Sequence, residues 1–240
     1  MEIRMRNDIT LLSVNWNAKS VMELMLRSFA KFHEPCRLML VDNGSTDGSK
    51  EWLYEQGVPF FDFPTNIGHE QAINVVYPAI TTKYVLLVDT DVIFYDNVFT
   101  YLDLFTDTIV AAGDLVRGDQ LHEAVKPRLG AWMILFDIEA ARKVGILKFR
   151  DTTDWSFDVG SHFYDRLWRA NLQPLILPRK PGNIDTDIIG MDFEKFGHFG
   201  KLSWNLANHG DRESEVQMRR KYVESRLNEF RDVELRGKFI

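Results

Sequence analysis

Residues 84–94 read "YVLLVDTDVIF". Tyr84–Val88 is an apolar run with no polar break. Such a run suits a strand buried on both faces, as parallel strands are. Two carboxylates, Asp89 and Asp91, follow at once. Mg2+ and Mn2+ take oxygen ligands, commonly a few carboxylates completed by substrate phosphates. An Asp-x-Asp at a strand end can hold such an ion against a diphosphate and neutralise charge on a departing phosphate. The tripeptide alone is in most chains just a solvated loop; its place after a buried strand raises the odds of the ion.

Upstream, strand-like and helix-like stretches alternate. Ile9–Val14 is a short apolar run, followed by a helix beginning near Ser20, where Ser20 and Glu23 have capping-box spacing. Val21, Leu24, Met25 and Phe29 recur behind it at helical spacing. Arg37–Val41 reads as a strand, Glu51–Gln56 as a short helix, Val58–Phe61 as a third strand and His69–Tyr77 as a helix. Strands alternating with helices imply βαβ units, a parallel sheet and right-handed crossovers.

The pattern changes after about residue 112. Gly113–Gly130 is polar and loop-like, and Ala131–Phe136 is apolar. Ile138–Val144 and Phe163–Ala170 read as helices and Leu172–Leu177 as a strand. Pro178–Ser203 is rich in Gly, Pro and Asp and reads as a long irregular segment, of the length that usually carries function. Residues 211–233 form a charged helical stretch with Val216, Val223, Leu227 and Phe230 near one face. No linker separates the halves, so the expectation is one domain over 1–240. Its parts would be a binding half (about 1–112), a second half (about 113–205) and a C-terminal helix (206–240).

The chain has 240 residues and a formal net charge of −6, which disfavours a generic basic nucleic-acid coat. Aromatic residues reach 12%, too many for a disordered chain. One cysteine, Cys36, excludes an internal disulfide and a Cys-rich zinc knuckle. No histidine pair has HExxH spacing. The N-terminus lacks the apolar core of a signal peptide, and no run is long enough to span a bilayer. These features fit a cytoplasmic protein and leave peripheral membrane contact open.

Two further constellations flank the first strand ends. In "LMLVDNGSTDGS", 38–49, Asp42 stands where a strand gives way to an acidic, Gly-rich loop. Ligands of open α/β sheets sit beyond the carboxyl ends of strands, where a carboxylate accepts hydrogen bonds from a base or ribose. The same residues make an ordinary turn. In "PTNIGHEQAIN", 64–74, Gly68 permits a tight strand-to-helix passage, and the helix N-terminus attracts anions. A capped helix without a ligand explains it as well.

In order, "ITLLSVNWN", "VDNGSTDGS", "NIGHEQAIN" and "VLLVDTD" resemble the family 2 glycosyltransferases of the GT-A fold, strongly over about 9–92 and loosely to about 177. The resemblance implies an α/β fold with a mostly parallel central sheet, helices on both faces and a Rossmann-like N-terminal half. It implies sugar transfer from a nucleotide-sugar, most often a UDP-sugar, with inversion, aided by Mn2+ or Mg2+. On the donor side it points to Val14, Trp16, Asp42, Asn43, Asp47, Asn66, Gly68, His69, Asp89 and Thr90. Trp16 stands where the family usually has Tyr and keeps an aromatic face for stacking; packing in the core is the alternative. Asp42 would contact the base, Asp47 would shape its loop, Asp89 would face the ribose or the metal, and Asp91 would bind the metal.

"RLGAWMILFDIEAARKVG", 128–145, resembles the family's acceptor-lining segment, with Arg128, Gly130, Trp132 and, farther on, His162 as acceptor-side candidates. The family's base usually lies in a Glu-Asp pair before a helix, and this chain has "DTTDWSFDVGSHFYDRL", 151–167, without that pair. Asp158, just before Gly160, is the first choice for the base; Asp154 is second and His162 third. Some transferases of this fold supply a late histidine to the metal. His198, between Gly197 and Gly200, is the candidate, and imidazole suits Mn2+ beside carboxylates.

The expected acceptor is a hydroxyl on a glycan, lipid-linked glycan or other biopolymer. Lys201, Arg212, Arg219, Arg220 and Lys221 would favour a phosphate-rich acceptor such as a lipid diphosphate or nucleic acid. Interleaved Asp211, Glu213, Glu215 and Glu224 suit a solvated face instead. A sugar nucleotidyltransferase needs a Gly-rich phosphate loop after the first strand, and "SVNWNAKS" has no Gly. A non-catalytic nucleotide-sugar-binding protein of the same fold is the alternative that the missing Glu-Asp pair keeps open.

Overall fold

The computed structural model describes residues 5–116, 127–149, 159–180, 191–199 and 213–240. The first half alternates as expected: β1 (Arg6–Asn15), α1 (Lys19–Phe32), β2 (Cys36–Asn43), α2 (Ser49–Gln56), β3 (Phe61–Phe63), α3 (His69–Val76) and β4 (Tyr84–Val88). β5 (Val92–Phe94), β6 (Ile109–Val116), β7 (Arg128–Asp137), α4 (Ile138–Lys143), α5 (Val159–Arg169) and β8 (Gln173–Ile176) follow. β9 (Met191–Asp192), β10 (Phe196–His198) and α6 (Glu213–Phe230) complete the described elements.

Seven strands form one sheet in the order β3-β2-β1-β4-β7-β6-β8, and β5-β10-β9 form a second. β1 runs parallel to β2 and β4, β2 to β3, and β6 to β8; β7 is antiparallel to β4 and to β6. One reversed strand between them leaves β4 and β6 pointing the same way. The carboxyl ends of β1, β2, β3, β4, β6 and β8 therefore lie along one rim, the side on which open α/β sheets bind ligands.

Period-two alternation splits the core between two faces. Leu11, Leu40, Leu86, Val88 and Leu135 meet Met22, Met25 and Phe29 of α1 and Trp52 and Leu53 of α2. Leu12, Val14, Val41, Leu87 and Phe136 meet Ala72, Ile73 and Val76 of α3, Ile138 of α4, and Phe163 and Leu167 of α5. Fully burying each large side chain contributes about 1.5–3 kcal/mol, which fixes strand register. α6 lies on α1: Val223 and Phe230 are buried with Val21 and Leu24, and Leu227 packs beside them. That is the apolar face expected from the sequence; the side chain of Val216 falls outside the described residues.

Four local expectations shift. α1 starts at Lys19 with Ala18 as its cap and no side-chain cap bond, so Ser20 lies inside the first turn and the capping box does not form. The third strand is Phe61–Phe63, starting three residues later than the expected Val58–Phe61, and it pairs with Val41–Asn43. The stretch expected as loop from Gly113 continues β6 to Val116, and β7 resumes at Arg128. Within Pro178–Ser203, short strands β9 and β10 build the second sheet.

Candidate functional site

Three loops at the rim are tied together by side chains that the sequence cannot pair. Asn15 ends β1 fully buried; its Nδ2 donates to Asp42 Oδ2 at 2.9 Å and to Ser45 Oγ at 3.2 Å. Asp42 Oδ1 accepts the Ser45 N–H at 2.8 Å. Asn17, at φ 50, accepts the Thr46 N–H on Oδ1 at 2.7 Å. Asp47 takes the role expected of Ser20 and Glu23: its Oδ2 accepts the Lys19 N–H at 2.8 Å, capping α1 from another loop. Asn43 Nδ2 donates to Asn66 Oδ1 at 2.9 Å, and that oxygen also accepts the Gly68 N–H at 2.8 Å. Gly44, at φ +79, lies so close to the third loop that a Cβ would come within 2.6 Å of the Thr65 backbone. Only glycine combines that conformation with that approach.

These loops enclose a cleft of about 250 Å3 lined by Val14, Trp16, Asn43, Asn66, Gly68, His69, Asp89 and Thr90. All eight are among the ten donor-side residues expected from the sequence. The other two, Asp42 and Asp47, do not line it. Asp42 is fully buried and engaged by Asn15 and Ser45, and Asp47 holds Lys19 and Ser49.

Beside the cleft, ligand atoms of Asp89, Asp91 and His198 lie within 4.8 Å of one another. Three backbone contacts create this group. Asp89 donates its N–H to Trp132 O on β7 at 3.0 Å. β5 pairs with β10 so that His198 faces Val92, and the Phe199 N–H donates to Asp91 O at 2.9 Å. His198 Nε2 sits 3.1 Å from Asp91 Oδ1, and both side chains are buried. Burial pulls the His198 imidazolium pKa down, but the charge and hydrogen bond of Asp91, with Asp89 and Asp114, raise it overall. Trp132 stacks on the His198 ring at 5.2 Å and 13°. His69 Nε2 lies 3.4 Å from Asp89 Oδ1, and this partner likewise outweighs desolvation and raises its pKa.

The acceptor-side candidates divide. Trp132 joins the Asp-Asp-His group through its stack on His198. Gly130 lies beneath it, with no room for a Cβ beside the Trp132 ring. Arg128 begins β7, where burial lowers its pKa, and His162 is buried in the first turns of α5 with Arg166 Nε at 3.4 Å. α5 is seated on this strand at Gly160, where a Cβ would overlap Leu129 O. None of the four lines the cleft. Asp158 and Asp154 lie outside the described residues, as do Lys201, Arg212 and the side chain of Arg219.

Sequence reasoning passed over Asn15 and an ion pair farther along the rim, Asp114–Arg179. Asn15 had a signal, since it stands beside Trp16 at a strand end. The pair had only a lone carboxylate in the apolar stretch "IVAAGDLV", 109–116.

Residues 11–139, more than half of the chain, match the family described as Glycosyl transferase family 2. The chain belongs to this family. A stretch of 110 residues of this family 2 chain is 28% identical to a teichoic acid poly(glycerol phosphate) polymerase of Staphylococcus epidermidis; the match covers 42% of the chain and 15% of the polymerase. Solved structures share the fold. A mannosyltransferase of Pyrobaculum calidifontis in complex with GDP-Man and Mn2+ aligns with TM-score 0.54 and 16% identity, over 72% of this chain and 55% of that one. S. aureus TarS 1–349 in complex with UDP aligns with TM-score 0.54 and 14% identity, over 92% and 72%. Glucosyl-3-phosphoglycerate synthase of Mycobacterium tuberculosis, with Mn2+, UDP and glucosyl-3-phosphoglycerate, aligns with TM-score 0.51 and 16% identity, over 71% and 70%. The family 2 chain thus has the GT-A fold, an α/β fold with a large, mostly parallel sheet. Among its described residues no helix is long and apolar enough to cross a membrane.

Proposed function

We propose that this family 2 domain is a metal-dependent inverting glycosyltransferase that moves a sugar from a nucleotide-sugar, a UDP-sugar by preference, to an acceptor hydroxyl. The observation that carries the reading is the Asp89–Asp91–His198 group standing beside a cleft lined by eight of the ten residues that the resemblance expects on the donor side. Two carboxylates and one imidazole suit Mn2+, with Mg2+ as the harder alternative. When bound, the ion neutralises charge on the leaving diphosphate.

The chain's own residues supply the rest. Trp16 offers an aromatic face to the base, and Asn43, Asn66 and Gly68 border the nucleotide. Asp42 acts from outside the lining, fixing Asn15 and Ser45 so that the loops keep their shape. Asp158, ahead of α5, takes the proton of the attacking hydroxyl, with Asp154 as the second candidate; such general-base help is typically worth about 10²–10⁴-fold. The transition state resembles an oxocarbenium ion. The polymerase and the phosphoglycerate synthase among the similar proteins support an acceptor class that includes phosphate-bearing molecules alongside glycans.

The test is a panel of nucleotide-sugars with Mn2+, Mg2+ or EDTA on the wild type and Asp91→Asn. Metal-dependent stabilisation by one UDP-sugar, with slow release of UDP that Asp91→Asn abolishes, is expected. Absence of metal-dependent binding to every nucleotide-sugar refutes the reading. Binding with no release, with or without acceptor, identifies a donor-binding protein without turnover.

A further inference from the structure

The donor cleft takes its residues from the ends of β1, β2, β3 and β4. An acceptor must therefore approach along the rim from β7, β6 and β8. Asp114, near the end of β6, is buried there, and its carboxylate grips Arg179 just beyond the end of β8. Arg179 Nε lies 3.1 Å from both carboxylate oxygens and Nη2 lies 2.6 Å from Oδ2.

The pair is asymmetric. The Asp114 side chain is 4% exposed, that of Arg179 36%. A carboxylate so buried needs its cation, because an unpaired buried charge costs several kcal/mol. A guanidinium so exposed does not need its carboxylate in the same way. What Asp114 gives Arg179 is direction: the fork is held through Nε and Nη2, while among the described residues Nη1 has no partner. The backbone is held as well. Leu177 N–H donates to Gly113 O at 2.9 Å, Arg179 bridges to Phe193, and Lys180 N–H donates to Asp192 O at 2.9 Å. Phe193 follows β9, which pairs with the β10 strand carrying His198.

We infer that Arg179, aimed by Asp114, binds a phosphate ester on the acceptor. The inference rests on the transferase reading and names its acceptor class. Distances along the rim fit it. Strands lie about 4.8 Å apart, so β6 is roughly 10 Å and β8 roughly 14 Å from the Asp89 end of β4. A sugar and an attacking hydroxyl occupy the first part of that span, and an acceptor phosphate falls within the reach of an arginine at its end. The charge fits too: an anionic acceptor entering a chain of net charge −6, past Asp89 and Asp91, needs a fixed cation. Arginine presents a planar fork matched to phosphate oxygens.

The experiment titrates glycerol 3-phosphate and, separately, glycerol into the full chain with Mn2+ and UDP present, by calorimetry. It compares the wild type, Arg179→Gln and Arg179→Lys. The wild type should bind glycerol 3-phosphate far better than glycerol. Arg179→Gln should weaken that binding by at least about tenfold, the value of a charge-assisted contact. Arg179→Lys should fall between, and UDP–Mn2+ affinity should stay within about twofold in all three. The inference is overturned if glycerol binds as well as its phosphate, if Arg179→Gln keeps the phosphate affinity, or if it loses UDP and phosphate affinity together. Should Arg179→Gln fail to fold, unchanged phosphate affinity in folded Arg179→Lys overturns it equally. A wild type that binds no UDP with Mn2+ overturns instead the transferase reading beneath it.

Discussion

His33 gives this fold a stability that acid removes. It caps the end of α1, buried to 4% exposure, with its ring stacked on Phe29 at 4.2 Å. Nδ1–H donates to Phe29 O at 3.0 Å, and Nε2 accepts the Val98 N–H at 3.0 Å. Both nitrogens are thus satisfied only in the neutral ring; a proton on Nε2 would face another N–H. Burial pushes the pKa down to about 4 from the ordinary 6.5, with Asp96 opposing and Lys195 and Lys238 adding to the fall. The unfolded chain therefore binds this proton first, so the contribution is intact above pH 6.5 and is lost as pH falls toward 4. The gap corresponds to roughly 3 kcal/mol in full, and to about 2.5 kcal/mol by pH 4.5. For a domain of this size that is about 5–10 °C in melting temperature. The assay compares urea unfolding of the wild type and His33→Gln at pH 7.5 and 4.5. Carboxylates that lose their partners in acid, such as Asp8 beside Arg6, do so in both proteins and cancel in the difference. The variant should be less stable at pH 7.5 yet lose about 2.5 kcal/mol less between the two pH values. Equal losses would refute the buried neutral imidazole.

Asp91→Asn should cut Mn2+ affinity, measured by electron paramagnetic resonance titration, by more than the roughly 10–100-fold that loss of a ligand's partner costs. Trp132→Ala removes the ring stacked on His198 and should weaken Mn2+ binding about three- to tenfold, with Trp132→Phe restoring part of it. Gly160→Ala should destabilise by about 1–3 kcal/mol in urea unfolding, because its Cβ would overlap Leu129 O at the α5–β7 contact. Asp47→Ala should cost about 0.5–2 kcal/mol in thermal unfolding by uncapping α1, and Asp47→Asn much less.

Much of the cleft lining was legible in local sequence. Val14, Trp16, Asn43, Asn66, Gly68, His69, Asp89 and Thr90 each stand within a few residues of a strand end, and strand ends can be read from apolar runs. Asp42 stands in the same pattern, yet it is fully buried, its oxygens taken by Asn15 from β1 and by the Ser45 N–H of its own loop. The failed capping box at Ser20 and Glu23 has a related cause: Asp47 reaches Lys19 first, from 28 residues away.

The alternation of strands and helices in the first half and the row of polar residues at the carboxyl ends of its strands are written in local sequence. Those follow from period, propensity and loop chemistry, which act over a few residues. The folded chain alone reveals that β7 runs antiparallel between β4 and β6, that β10 brings His198 to Asp91, and that Asp114 holds Arg179. Each joins residues 65 or more positions apart, or turns on which strand neighbours which. Such choices are set by packing and burial across the whole sheet, a balance that no local window contains.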